Sequence, residues 1–118
     1  MSKDPKMPPY ILSLLNRILE NLPGDISEVF AKQVECARLV DETPGRWARF
    51  EVPQEVEKVV LPDGPLREIP AIVDSNGTLI GELLVWVTGG LISDLERPWF
   101  TDEAPNSWPD PDSLDFSQ

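Results

Sequence analysis

Carboxylates are the one class of reactive side chain that this sequence carries in number: 21 Asp and Glu stand against 10 Lys and Arg, with no histidine and a single cysteine, Cys36. Without histidine the usual general base and imidazole metal ligand are missing, and no Ser-His or Cys-His nucleophile can be assembled. Acid–base chemistry would have to come from a carboxylate. Glu82, in the run TLIGELLVWV, shares a strand face with Ile80, Leu84 and Trp86, where an apolar setting would raise its pKa and suit it to proton transfer. The plainer reading is a carboxylate near a sheet margin, bonded to an arginine. Asp102 with Glu103, or Asp110 with Asp112, offers oxygen ligands for calcium, but the ligand ladder and mid-loop glycine of an EF-hand are lacking, so surface charge accounts for them. The glycines of SNG and TGG belong to no strand–loop–helix unit and precede no P-loop lysine. No catalytic residue, metal or cofactor is expected, and the chain reads as a non-enzyme.

The elements that must position these residues are legible in part. Pro8 and Pro9 suit a first helical turn, and Tyr10, Ile11, Leu14, Leu15, Ile18, Leu19 and Leu22 follow helical spacing until Pro23 and Gly24. One helix is predicted over about 9–22. DISE then places Asp25 as an N-cap with Glu28 three residues on, and a second short helix runs to about Lys32. VECARLV reads as a strand over about 34–41, with Cys36 a small buried hydrophobe. ETPG turns it into RWARFEV, where Trp47, Arg49 and Glu51 alternate with Ala48, Phe50 and Val52, a hairpin. LREIPAIVD is a weaker strand, and Pro70 within it suggests an edge or bulge that permits a weak homodimer. TLIGELLVWV is apolar on both faces and predicts one central strand; TGG then returns the chain as LISDLE. The sum is α+β: a helix or two packed on an antiparallel sheet of about five strands.

At 118 residues one domain is expected: an arm over 1–8, helices over 9–32, the sheet over 33–97 and a proline-rich acidic segment over 98–118. A formal net charge of −11 repels nucleic acid phosphates and anionic membranes and attracts basic proteins. The opening MSKDPKMPPY has no apolar run behind its lysines, so no secretory leader is expected. The longest apolar run, Leu83 to Val87, is too short to cross a bilayer. With one cysteine no intrachain disulfide is possible, and the cytoplasm is the expected compartment.

The last segment is peculiar. Asp94, Glu96, Asp102, Glu103, Asp110, Asp112 and Asp115 accompany one basic residue, Arg97, and four prolines hold the chain extended. Trp99, Phe100, Trp108 and Phe116 are expected to turn inward and pin this stretch to the sheet, each burying area worth about 2–3 kcal/mol, with the carboxylates displayed outward. Rigid aromatics beside carboxylates suit recognition of a basic protein. The candidate contact residues are Asp94, Glu96, Asp102, Glu103, Asp110 and Asp112, with Trp99 and Trp108 as anchors.

The order QVECARLVDETPGRWARFEVP, then GELLVWVTGGLISDLE, then the pair Trp108–Pro109 in an acidic tail, over about residues 33–110, resembles a group of small bacterial proteins. Some of these are similar to immunity proteins, which neutralise toxins of contact-dependent or polymorphic toxin systems. The resemblance implies an α+β fold and a cognate toxin as the basic partner, covered at its active site or binding surface. Toxin contacts vary within such proteins, so no binding residue is carried over. The alternatives are a scaffold domain whose acidic surface serves solubility alone, and a small hydrolase using Glu82.

Overall fold

The computed structural model describes residues 7–117, so most of the arm expected over 1–8, and Gln118, lie outside the described residues. The first helix, α1 (Pro9–Leu19), has Pro8 as its N-cap and buries Ile11, Leu14, Leu15 and Ile18, the stripe expected from their spacing. The second, α2 (Gly24–Cys36), starts earlier and runs further than the sequence suggests. Pro23 is its N-cap, no side chain caps it, and Asp25 sits in the first turn instead, where its charge favours the positive end of the helix. Phe30, Gln33 and Val34 are buried at helical spacing, so tertiary packing extends the helix through residues whose alternation resembled a strand. Cys36 is accordingly exposed, not a core residue.

The strands are β1 (Arg38–Thr43), β2 (Trp47–Glu51), β3 (Gly64–Pro65), β4 (Ala71–Val73), β5 (Leu79–Glu82), β6 (Leu84–Thr88), β7 (Leu91–Glu96) and β8 (Leu114–Asp115). They form two antiparallel sheets, one of five strands in the order β1-β2-β7-β6-β3 and one of three in the order β5-β4-β8. The fold is α+β. The expected single strand TLIGELLVWV is divided: its first part pairs in the small sheet and its second in the large one. Leu83 is the joint. It belongs to neither strand, is 0% exposed, and its N–H donates to the Pro70 carbonyl at 3.2 Å. Two-residue periodicity records which residues share a face, not which neighbour each half pairs with. Pro70 does not mark an edge, since β4 starts after it and is flanked by β5 and β8, but the strand does carry an irregularity of the kind also expected there, a register shift between Ile72 and Val73.

One face of the large sheet meets the helices, with Ala48, Phe50, Val85, Val87, Ile92 and Leu95 joining Ile11, Leu14, Phe30 and Val34 in the core. At its centre is a polar side chain. Gln33 is 0% exposed; its Nε2 donates to the carbonyls of Glu57 and Gly90 at 3.0 and 2.9 Å, and its Oε1 accepts the Ile92 N–H at 2.9 Å. The register of β6 with β7 passes from Trp86↔Asp94 to Val87↔Ile92, leaving Ser93 as an extra residue. Gln33 thus ties α2, the 53–63 connection and this irregular hairpin together.

After β7 the chain doubles back along the small sheet. The Glu82 N–H donates to the Pro98 carbonyl and the Phe100 N–H to the Ile80 carbonyl, so residues 98–100 lie against the free edge of β5. The segment then crosses the β1–β2 turn, where Gly45 has a φ of 79°; a Cβ there would stand 2.4 Å from the Ser107 nitrogen. Only glycine accepts both the left-handed backbone and this approach. A 3₁₀ turn (Pro111–Ser113) leads into β8 beside β4. Among the described residues no helix is long and apolar enough to cross a membrane.

Candidate site on the outer face of the large sheet

The other face of the five-stranded sheet carries none of the core, and cross-strand pairing sets its side chains in two rows. Asp41, Arg49, Asp94, Trp86 and Pro65 follow one another across all five strands. Beside them run Thr43, Trp47, Glu96 and Leu84. No residue of either row is buried. Diagonal bonds brace the rows: the Trp47 indole N–H donates to Asp94 Oδ2 and the Trp86 indole N–H to Glu96 Oε1, each at 2.9 Å. The Arg49 guanidinium carbon lies 5.9 Å from the centre of the Trp47 ring.

These bonds have an electrostatic consequence. An ionised carboxylate has about four acceptor positions, and one indole N–H leaves most of them open. Neither Asp94 nor Glu96 forms a salt bridge among the described residues; the three ion pairs found there are Arg17–Glu20, Lys32–Glu57 and Arg38–Glu51. Two half-buried negative charges are thus held in fixed orientation by indole donors, with no cation of the described chain within salt-bridge distance, although Arg49 is the cross-strand neighbour of Asp94. That arrangement suits Lys or Arg from outside: attraction at a partly desolvated site is stronger than in bulk water, and the carboxylates need no reordering.

The other sequence-predicted residues lie elsewhere. Trp99 and Phe100 are 40% and 53% exposed, which overturns the expectation that they turn inward; backbone pairing to β5, not ring burial, holds this part of the segment. The Arg46 guanidinium carbon lies 5.7 Å from the Trp99 ring centre. Asp102 and Glu103 are exposed in the loop that follows. Asp110 folds back on its own backbone, Oδ1 accepting the Asp112 N–H at 2.9 Å, so it shapes the 3₁₀ turn, in which Asp112 is exposed. Trp108 is half-buried and donates from Nε1 to Glu42 Oε2 at 2.7 Å. Arg97, the lone basic residue of the segment, is buried; one of its terminal nitrogens donates to the Ser107 carbonyl at 2.7 Å, while its Nε has no partner among the described residues. Burial lowers its pKa from the ordinary arginine value.

Of the predicted set, then, only Asp94 and Glu96 are brought together, and their partners Trp47 and Trp86 were not in it. The alternation of RWARFEV already places Trp47 beside Arg49 and Glu51 on one face, and an indole on a charged strand face is the signal that pointed there. Glu82 closes β5, half-buried, and the division of its strand at Leu83 removes the continuous apolar face proposed for it. Among the described residues no group of three or more potential metal-binding side chains gathers.

A third carboxylate is held by two side-chain donors. Glu42 accepts the Tyr10 hydroxyl on Oε1 at 2.9 Å and the Trp108 indole on Oε2. Burial first, then the hydrogen bond to Glu42 and its charge, raise the Tyr10 pKa above the ordinary value of 10.0. The unfolded chain therefore loses this proton before the folded one does. Stability falls as pH climbs above about 10, until folded Tyr10 ionises in turn. Glu42→Gln should bring the Tyr10 transition down toward the ordinary value, with the part due to burial remaining. Tyr10 is the only tyrosine, so an absorbance titration of tyrosinate reads it directly. An unmoved transition would show that Glu42 does not act on it. No protein-family model, no curated protein and no solved structure matches this chain.

Proposed function

We propose that this chain is a non-enzymatic, cytoplasmic binding protein of the immunity type, which neutralises a bacterial toxin by covering its basic active site or binding surface with the outer face of the large sheet. One observation carries the reading: Asp94 and Glu96, each fixed by an indole N–H, form no salt bridge among the described residues in a chain of formal net charge −11. Fixed carboxylates can occupy the place of phosphate in a cationic cleft, and a net negative field speeds the encounter. The sequence resemblance to immunity proteins points the same way. A surface serving solubility alone gains nothing from two indoles in reach of solvent, which weighs against a plain scaffold role.

The test looks for a toxin gene beside this one in its host and uses the toxic domain found there. Co-expression should restore growth to cells producing the toxin, and the purified pair should bind with an affinity that falls between about 0.05 and about 0.5 M salt as screening shortens the reach of the charges. Failure to protect, or binding indifferent to salt, would sink the proposal.

A further inference from the structure

A cavity of about 410 Å³ lies where the first turn of α1, the end of β1 and the C-terminal segment meet, and Glu42 is the only charged residue among those lining it. Tyr10, Trp108, Pro44, Pro109 and Pro111 supply apolar wall. Its carboxylate is half-buried and in no salt bridge among the described residues. Each oxygen already accepts one bond, from Tyr10 or from Trp108, which fixes the plane of the group and leaves acceptor capacity on both oxygens.

We infer that this cavity is a second recognition site, which takes the guanidinium of an arginine side chain carried by a protein partner. Two open acceptor positions on one oriented carboxylate match the planar fork of arginine, which donates two parallel N–H bonds. Prolines and aromatic rings suit the aliphatic stem, and the guanidinium can stack on an indole or phenol as it enters. A lysine offers a single point of charge and matches less well; a neutral side chain of the same shape leaves the carboxylate uncompensated. The site is built by elements other than the large sheet's outer face, so a single basic partner could engage both. That the occupant belongs to a protein partner rests on the binding-protein reading; the chemistry of the cavity does not.

The experiment needs no toxin. The full chain is titrated with a capped Gly-Arg-Gly peptide while the Trp108 indole N–H is followed by NMR, then with the same peptide carrying lysine or citrulline in place of arginine. The arginine peptide should shift the Trp108 resonance saturably, and citrulline, which keeps the shape and loses the charge, should bind at least about tenfold more weakly. Glu42→Gln should abolish the shift. Tyr10→Ala changes a side chain that is 49% exposed, so it tests the wall with little risk to the fold, and it should weaken binding severalfold. Circular dichroism and thermal melts check both variants for folding. The Trp108 shift should be the same in the Asp94→Asn/Glu96→Gln variant, because that resonance reports this cavity and not the sheet face, and a Trp108 shift lost in that variant also overturns the inference. A Trp108 resonance that does not move, or citrulline binding as tightly as arginine, overturns the inference, as does an arginine response that survives Glu42→Gln.

Discussion

Under the proposed immunity function, exchanging Asp94 for Asn and Glu96 for Gln together is expected to weaken the complex with the cognate toxin about 100-fold, the equivalent of about 2.7 kcal/mol, at low salt. The amide oxygens can still accept the Trp47 and Trp86 indole protons, so the bracing across the two rows survives while both charges vanish. What is lost within the fold is the difference between a charge-assisted and a neutral hydrogen bond, about 1 kcal/mol or less at each position, and the melting temperature should shift by only a few degrees. Affinity and stability therefore separate cleanly. Asp94→Lys/Glu96→Lys should abolish binding, because like charges then face each other across the contact. Isothermal titration calorimetry with the toxin domain measures all three proteins. Wild-type affinity in the Asn/Gln pair would remove the outer face from the interface, whatever else the protein binds.

Gln33→Leu is expected to destabilise the fold by about 2–3 kcal/mol, the largest effect of any single change considered. The substitution keeps the apolar volume and discards every hydrogen bond. Three are made: to the Glu57 carbonyl, to the Gly90 carbonyl and from the Ile92 N–H. They are not equivalent. Gly90 O keeps its bond from the Val59 N–H, and Glu57 is exposed enough for water to reach it. The Ile92 N–H is stranded in the core beside the irregularity between β6 and β7, and an unpartnered buried donor costs about 1–3 kcal/mol by itself. Urea unfolding followed by tryptophan fluorescence should show a lower midpoint with an unchanged slope. A loss under about 1 kcal/mol would mean that water enters and replaces the amide. Because Gln33 lies on the helix-covered side, affinity for the proposed toxin partner should hold wherever the variant remains folded.

Both effects depend on residues that local pattern describes unequally. The stripe of α1 and the two tight turns at Asn76–Gly77 and Gly89–Gly90 follow from spacing and turn chemistry within a dozen residues, and the structure has all three where the sequence puts them. The hairpin of β1 with β2 is there too, although β1 begins at Arg38, four residues later than the alternation suggests. That shift has a cause outside the segment: Phe30, Gln33 and Val34 find partners on the sheet, and the helix they belong to is extended at the strand's expense. Gln33 looks like a polar residue near a helix end. Nothing near it in the chain shows that it would meet Gly90 and Ile92.

The C-terminal segment makes the same point from the opposite direction. Its four aromatics suggested anchoring by burial; Trp108 and Phe116 do pack half-buried against the core, but Trp99 and Phe100 stay exposed while the backbone of 98–100 pairs with β5, Arg97 is buried, and Trp108 bonds to a carboxylate 66 residues away. What the sequence by itself determined is the α+β class, the amphipathic first helix, the turn positions and the strong negative charge, because each depends on composition or on neighbours a few residues apart. Only the tertiary structure decided that the strand before TGG divides at Leu83 between two sheets, that Trp47 and Trp86 hold Asp94 and Glu96, and that Glu42 lines a cavity with Tyr10 and Trp108. Those outcomes turn on which distant strands pair and in what register, and hydrophobic periodicity carries no record of that choice.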